Sequence, residues 1–235
     1  MSRTAPPPPL SIIIPALDEA AGIGAALARL QPLRGRGCEV IVVDGGSRDA
    51  TVDLAIPACD RVAVSPPGRA AQMNAGVRVA HGDALLFLHA DTGLPGDADR
   101  LVLEALGSTR HVWGRFDVRI NGRPTMLRLI AAMMNLRSRL TGIATGDQAI
   151  FCRRTAFDAV GGFPSQPLME DVEISKRLRR LGPPACLRAR VTTSGRRWER
   201  HGVARTVLLM WRLRLAYFLG VDATRLVRHY PRHRD

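Results

Sequence analysis

Acidic and basic side chains stand at the ends of several short apolar runs, and their types suit phosphate and sugar chemistry. "LLFLHADT" (85–92) closes an apolar run with His89, Ala90 and Asp91. A carboxylate there is either a turn acid or a hard-oxygen ligand for Mg²⁺ or Mn²⁺ on a nucleotide diphosphate. An Asp-x-Asp pair would be the usual form of such a site, and His89 stands in the first position. In "VIVVDGGSRDAT" (40–51), Asp44 either caps the turn with Ser47 or accepts hydrogen bonds from a nucleotide base. "PPGRAAQMNAG" (66–76) puts Arg69 at a helix start and Asn74 within it. A guanidinium beside free helix N–H groups suits a diphosphate, although a solvated surface arginine fits the same pattern. "PLMEDVEISKRLRRLG" (167–182) opens a helix with Glu170 and Asp171. Two adjacent acids diverge on a helix, so one can face a cleft as a general base while the other supports the loop. Their placement also complements the helix dipole, worth roughly 0.3–1 kcal/mol. In "SGRRWERHG" (194–202), an expected loop, Arg197 and Trp198 form either a solvated basic stretch or a stacking, acceptor-side element.

The elements that must carry these residues follow from periodicity. Apolar, β-branched runs at 10–15, 39–44, 61–65 and 83–91 read as strands, with helical patterns near 18–30, after Ser47 and at 68–80 between them. This alternation predicts an α/β fold, a mostly parallel sheet covered by helices on both faces. Ligands in such sheets bind beyond the carboxyl ends of the strands. Three polar segments fall there: Pro15, Ala16, Leu17 and Glu19; Asp44 to Ser47; and His89 to Thr92. The second half reads as a helix at 96–106, a strand at 111–120, an amphipathic helix at 125–140, a strand at 147–153 and a helix beginning near Glu170. Two helical segments fill 203–230. The expected organisation is a Pro-rich leader over 1–9, one α/β domain over 10–200 and a C-terminal helical extension over 201–235.

Composition narrows the partners. The 235 residues carry a net charge of +13, and Lys176 is the only lysine, so the positive charge is almost wholly arginine. A surface of that sign favours anionic partners such as nucleotide diphosphates, anionic lipid or nucleic acid. Cys38, Cys59, Cys152 and Cys186 show no C-x-x-C spacing, which argues against a zinc ribbon or disulfide framework and suits a reducing cytoplasm. No window offers the roughly 18 apolar residues that a membrane span requires. Residues 203–221 are interrupted by Arg205, Arg212 and Arg214; they can lie on a membrane surface, pack on the catalytic domain or meet a second subunit.

The motifs "SIIIPALDEA", "VIVVDGGSRDAT", "GRAAQMNAG", "LFLHADT" and "GDQAIFCRRTAFDAVGGFP…MEDVEISKRLRRLG", in that order, resemble the family 2 inverting glycosyltransferases with the Rossmann-like GT-A fold. The tail "RRWERHGVARTVLLMWRLRLAYFLGVDATRL" is similar to a bacterial subgroup found beside radical-SAM or selenium-related proteins. The resemblance implies that Pro15 to Glu19 and Asp44 line a nucleoside pocket and that Arg69 lies near the phosphates. It further implies that Asp91 holds the divalent cation and that Asp171 is the catalytic base. Arg197 and Trp198 match the Arg-Trp of processive relatives, but Ser194 replaces the glutamine of that element and long membrane helices are missing, so a non-processive enzyme is expected. The implied partners are a nucleotide-diphosphate sugar and a hydroxyl acceptor, with a lipid-linked one in view, at the inner face of the cytoplasmic membrane. Two other classes fit the sequence less well. A nucleotidyltransferase would bring a Gly-rich phosphate loop followed by a basic residue, which "PALDEAAGIG" lacks. A basic nucleic-acid-binding module would cluster its arginines, which here are spread along the chain.

Overall fold

The computed structural model describes residues 9–229, so the expected leader lies outside the described residues except for Pro9. Strands β1 (Leu10–Ala16), β2 (Glu39–Asp44), β3 (Arg61–Val64) and β4 (Ala84–Phe87) are mutually parallel, with β1 between β2 and β4. Their side chains alternate between two cores. Ile12, Ile14, Val40 and Val42 enter one, and Ile13, Ile41 and Val43 the other. Strands buried on both faces read as unbroken apolar runs, as "SIIIP" and "VIVV" do. Helices α1 (Ala20–Gly35) and α4 (Ala98–Gly107) cover the first face, through Ile23, Leu27, Leu30 and Val102 among others. Helix α3 (Arg69–Val79) covers the second through Ala70, Met73 and Val77. The short α2 (Thr51–Ala55) follows β2.

Beyond β4 the sheet changes character. The strand order is β3-β2-β1-β4-β7-β6-β8-β5, where β5 is Thr92–Gly93, β6 Trp113–Asn121, β7 Phe151–Arg153 and β8 Ala185–Ser194. β7 is antiparallel to both β4 and β6, β8 runs parallel to β6, and β5 lies antiparallel to β8 with Thr92 opposite Thr193. The expected mostly parallel sheet is thus parallel over its first four strands and mixed over the rest. β8 was not expected at all, the strand of 83–91 stops at Phe87, and the segment of 147–153 begins as a tight turn at Gly146–Gln148. The expected loop at 194–202 is the short helix α8 (Arg196–His201).

Helix α5 (Met126–Thr141) joins the first face through Leu127 and Ala131, while α6 (Arg154–Ala159) and α7 (Glu170–Leu181) join the second through Phe157, Ile174 and Leu178. The extension comprises α9 (Val203–Phe218) and α10 (Ala223–Leu226). Leu213 and Leu226 bury against Leu168 and Met169 in a third, small core just ahead of α7. Part of the 203–221 segment therefore packs on the domain. Among the described residues, no helix is long and apolar enough to cross a membrane.

Candidate active site

The carboxyl ends of β1 and β2 are held by side chains rather than by helix caps of their own. Gln72 of α3 donates from Nε2 to the carbonyls of Ala16 at 2.7 Å and Val43 at 2.8 Å, so it clamps both strand ends from beneath. The two following loops are stitched together. Ser47 Oγ accepts from the Asp18 N–H, Thr51 Oγ1 from the Glu19 N–H and Asp49 Oδ2 from the Ala20 N–H, while Asp18 Oδ1 accepts from the Arg48 N–H. Asp18 adopts φ 53°, a left-handed conformation that Asp tolerates better than most residues. Pro15 and Ala16 are buried in β1 and Leu17 is exposed at the mouth. Asp44 is buried, and its carboxylate accepts the N–H groups of Gly46 and Ser47 at 2.9–3.2 Å. Its side chain shapes the Gly-Gly turn.

Beyond β4 the chain turns at once, with the Thr92 N–H donating to the His89 carbonyl at 3.0 Å, and this turn carries Ala90 and Asp91. Thr92 Oγ1 lies 3.3 Å from Asp91 Oδ1 and 3.1 Å from Thr193 Oγ1, which ties the turn to β8. Glu19 is close enough for charge coupling. Burial first, and the charge of Asp91 second, push its carboxyl above the ordinary range, against the pull of Arg196 and Arg69.

His89, Glu170 and Asp171 meet on the other side of this turn. Together with Gly146 and the apolar Met73 and Phe87 they line a cavity of about 10 Å³, roughly the room for one water. His89 Nδ1 lies 3.4 Å from Asp147 Oδ1. Burial raises the Asp147 carboxyl, but the hydrogen bond and charge of His89, with Arg69 and Arg197 beyond, outweigh it and hold the group at about 2. A Cβ on Gly146 would overlap His89 Nε2, so only glycine leaves room for the ring. The Gly146 N–H donates to Asp171 Oδ2 at 2.9 Å, and Val172 N–H to Oδ1 at 2.7 Å, which fixes the carboxylate at the start of α7. Met169, at φ 65°, turns the chain into that helix. Glu170 is buried and its carboxyl is pushed up, by desolvation first and by Asp171 second, with Arg69 and His89 opposing.

Other expected site residues lie differently. Asn74 spends its amide on Phe163, donating to the carbonyl at 2.9 Å and accepting from the N–H at 3.0 Å, and so pins the loop after Gly162. Trp198 is half-buried against the core that α5 and β6 share. Arg197 reaches the site through its charge on Asp147. Sequence reading missed Asp147, Gln72 and Arg137. Nε and Nη2 of Arg137, in α5, are buried without a hydrogen-bond partner; burial first, then Arg214, pushes the guanidinium down to about 10, while Asp171 pulls it up. Only Asp147 had a signal, since it sits beside Gly146 at the start of an apolar run as Asp91 sits at the end of one.

Acids and an arginine gathered beyond the carboxyl ends of parallel strands match a known pattern. Residues 11–161 fit the family described as Glycosyl transferase family 2. The chain belongs to glycosyltransferase family 2. Among curated family members, the PGL/p-HBAD biosynthesis glycosyltransferases of Mycobacterium tuberculosis and Mycobacterium bovis are 36% identical to it over 168 residues, or 66% of this chain. The chain spans 63% of the length of those relatives. Solved structures share the GT-A fold. TarS 1–349 of S. aureus superposes with a TM-score of 0.63 at 16% identity, covering 79% of this chain and 60% of that one. The mannosyltransferase PcManGT of Pyrobaculum calidifontis, in complex with GDP-Man and Mn²⁺, gives 0.62 at 20% identity, covering 89% and 61%.

Proposed function

We propose that this family 2 protein transfers a sugar from a nucleotide-diphosphate donor to an acceptor hydroxyl, in a single displacement that inverts the anomeric centre. One observation carries the reading: Asp171, at the head of α7, shares a cavity with His89, two residues from Asp91, so acid-bearing elements from the two halves of the chain meet beyond β4. Asp171 is the base. Its carboxylate is oriented by the N–H groups of Gly146 and Val172, and it accepts the proton of the acceptor hydroxyl as that oxygen attacks the sugar. Arg69, at the first turn of α3, places its charge beside Glu19, Asp147 and Glu170 and faces the diphosphate. Ala16, Leu17 and the Asp44 turn form the wall against the nucleoside.

Among the described residues, no three His, Cys, Asp or Glu side chains are grouped to hold a metal ion by themselves. The donor set nevertheless fits a hard cation shared with a diphosphate, because Asp91 offers a carboxylate and its charge stands against that of Glu19. When bound there, Mg²⁺ or Mn²⁺ supplies positive charge to the departing diphosphate. The cysteines are free thiols, in keeping with the reducing cytoplasm in which we place the reaction, at the membrane's inner face. The relatives that carry GDP-Man and UDP-GlcNAc support a nucleotide-sugar donor without selecting one.

Screening nucleotide sugars for hydrolysis or thermal stabilisation identifies the donor. With it in hand, Asp171→Asn should lower turnover by a factor of about 10² or more and leave nucleotide affinity within a few-fold. Asp91→Ala should weaken UDP or GDP binding in calorimetry with Mn²⁺ and change it little without. Turnover near wild type in Asp171→Asn would sink the assignment of the base.

A further inference from the structure

Helix α5 carries an apolar row on its outer side as well as its inner one. Met126, Leu129, Met133, Leu136 and Leu140 recur three and four residues apart and are all exposed, Leu140 at 77%. They lie opposite Leu127, Ala131, Asn135 and Ser138, the residues the helix buries. Helix α9 repeats the arrangement. Leu208, Trp211, Leu215 and Phe218 form an outer row, Phe218 at 81% exposure, while Thr206 and Leu213 are buried on the inner side. A helix apolar on two sides normally has neighbours on both.

The two helices are linked at their leading ends by hydrogen bonds and further along by charge. At their leading ends, the N–H of Gly195 donates to the Asn121 carbonyl and that of Arg123 to Glu199 Oε1, joining the lead into α5 to the lead into α9. Near their far ends, Arg214 is close enough to bear on Arg137. Neither helix contains an acidic residue, but together they hold Arg128, Arg137, Arg139, Arg205, Arg212 and Arg214. Arg205 and Arg212 flank one side of the α9 row and Arg214 the other. Acids reach these helices from the domain: Asp117 pairs with Arg139, Glu173 accepts from Tyr217, and the charge of Asp171 bears on the buried Arg137.

We propose that the joined outer rows of α5 and α9 form a docking face for an anionic lipid surface, with both helices lying in the interfacial plane. Apolar rows enter the headgroup boundary while flanking arginines meet lipid phosphates, the combination that in-plane amphipathic helices use. The charge decides against a second copy of the chain as occupant, because a self-complementary contact would bring acid-free, arginine-bearing rims together in a protein of net charge +13. The face goes beyond the sugar-transfer reading and does not depend on it.

The test is flotation of the full chain with vesicles, which needs neither donor nor acceptor. Phosphatidylcholine vesicles are compared with the same lipid containing a third phosphatidylglycerol, across a salt series. The chain should float with the anionic vesicles, bind the neutral ones weakly and release as salt rises. The pair Leu136→Glu with Leu215→Glu, and separately Arg205→Glu with Arg212→Glu, should each reduce partitioning by roughly tenfold. All four positions are exposed, and circular dichroism confirms that the variants fold. Retention by both variants, or no binding by the wild type, overturns the proposal. A concentration-dependent dimer in sedimentation velocity that the leucine pair abolishes overturns it in favour of self-association.

Discussion

Glu170 is an acid in an unfavourable place: buried, beside another carboxylate, and only in part compensated by Arg69 and His89. Its carboxyl titrates above the ordinary range in the fold, so ionising it opposes folding. The penalty begins above the unfolded value near ~4.3 and reaches its full size once pH passes the raised folded value. Glu170→Gln should therefore raise Tm at neutral pH, by about 2–4 °C for each kcal/mol relieved, and the gain should vanish below about pH 4. Thermal melts of both proteins across that range check it, and a gain that persists in acid would refute the sign. Sugar transfer should fall in the same variant, since strained groups of this kind sit at working sites. His89, Asp91, Glu170 and Asp171 were legible because strand ends and helix starts are visible in sequence. Asp147 carried only the weak signal of an acid beside a glycine, because what marks it in the fold is the imidazole brought to it by a turn nearly sixty residues earlier in the chain. Arg137 was hidden for a like reason: its burial and its neighbours Arg214, Asp171 and Arg115 are set by the tertiary fold.

At the scale of elements, the alternation of β-branched runs and helical patterns located the first four strands and their helices closely. The misses have physical causes. The apolar run of 83–91 continues past Phe87 because Leu88 and Ala90 still fill the core although the ladder has ended. β8 alternates Ala185, Leu187, Ala189 and Val191, but two alanines and two arginines dilute that signal. Arg196–His201 has only short-range start signals, Ser194 accepting from the Arg196 N–H and Glu199 in the first turn, and Trp198 packs it against the core. The helix–sheet contact under the site is tight at one point. A Cβ on Gly76 would overlap Ile13 Cγ2 and touch Val43 Cγ2 at 3.0 Å. Gly76→Ala should therefore destabilise by about 1–3 kcal/mol, despite alanine's better helix propensity. Urea denaturation measures this, and a stabilised variant would show that α3 does not press on β1 and β2 there.

At the scale of the molecule, the extension packs next to the candidate active site through the small core that Leu213 and Leu226 form with Leu168 and Met169, immediately before Glu170 and Asp171. Leu213→Ala should cost about 2–4 kcal/mol and should lower turnover beyond what unfolding explains, because it loosens the lead into α7. Leu33→Ala, in the main core near the far end of α1, is the comparison: a similar loss of stability without that loss of turnover. Equal effects on turnover would remove the tail from the site. The crevice as a whole divides in a related way. Gln72 and the stitched loops after β1 and β2 give up their conformational freedom when the chain folds, so the nucleoside proposed to bind there would order little that was loose before. The entropy of ordering, which so often weakens recognition by loops, has at this end been met in advance by the fold itself.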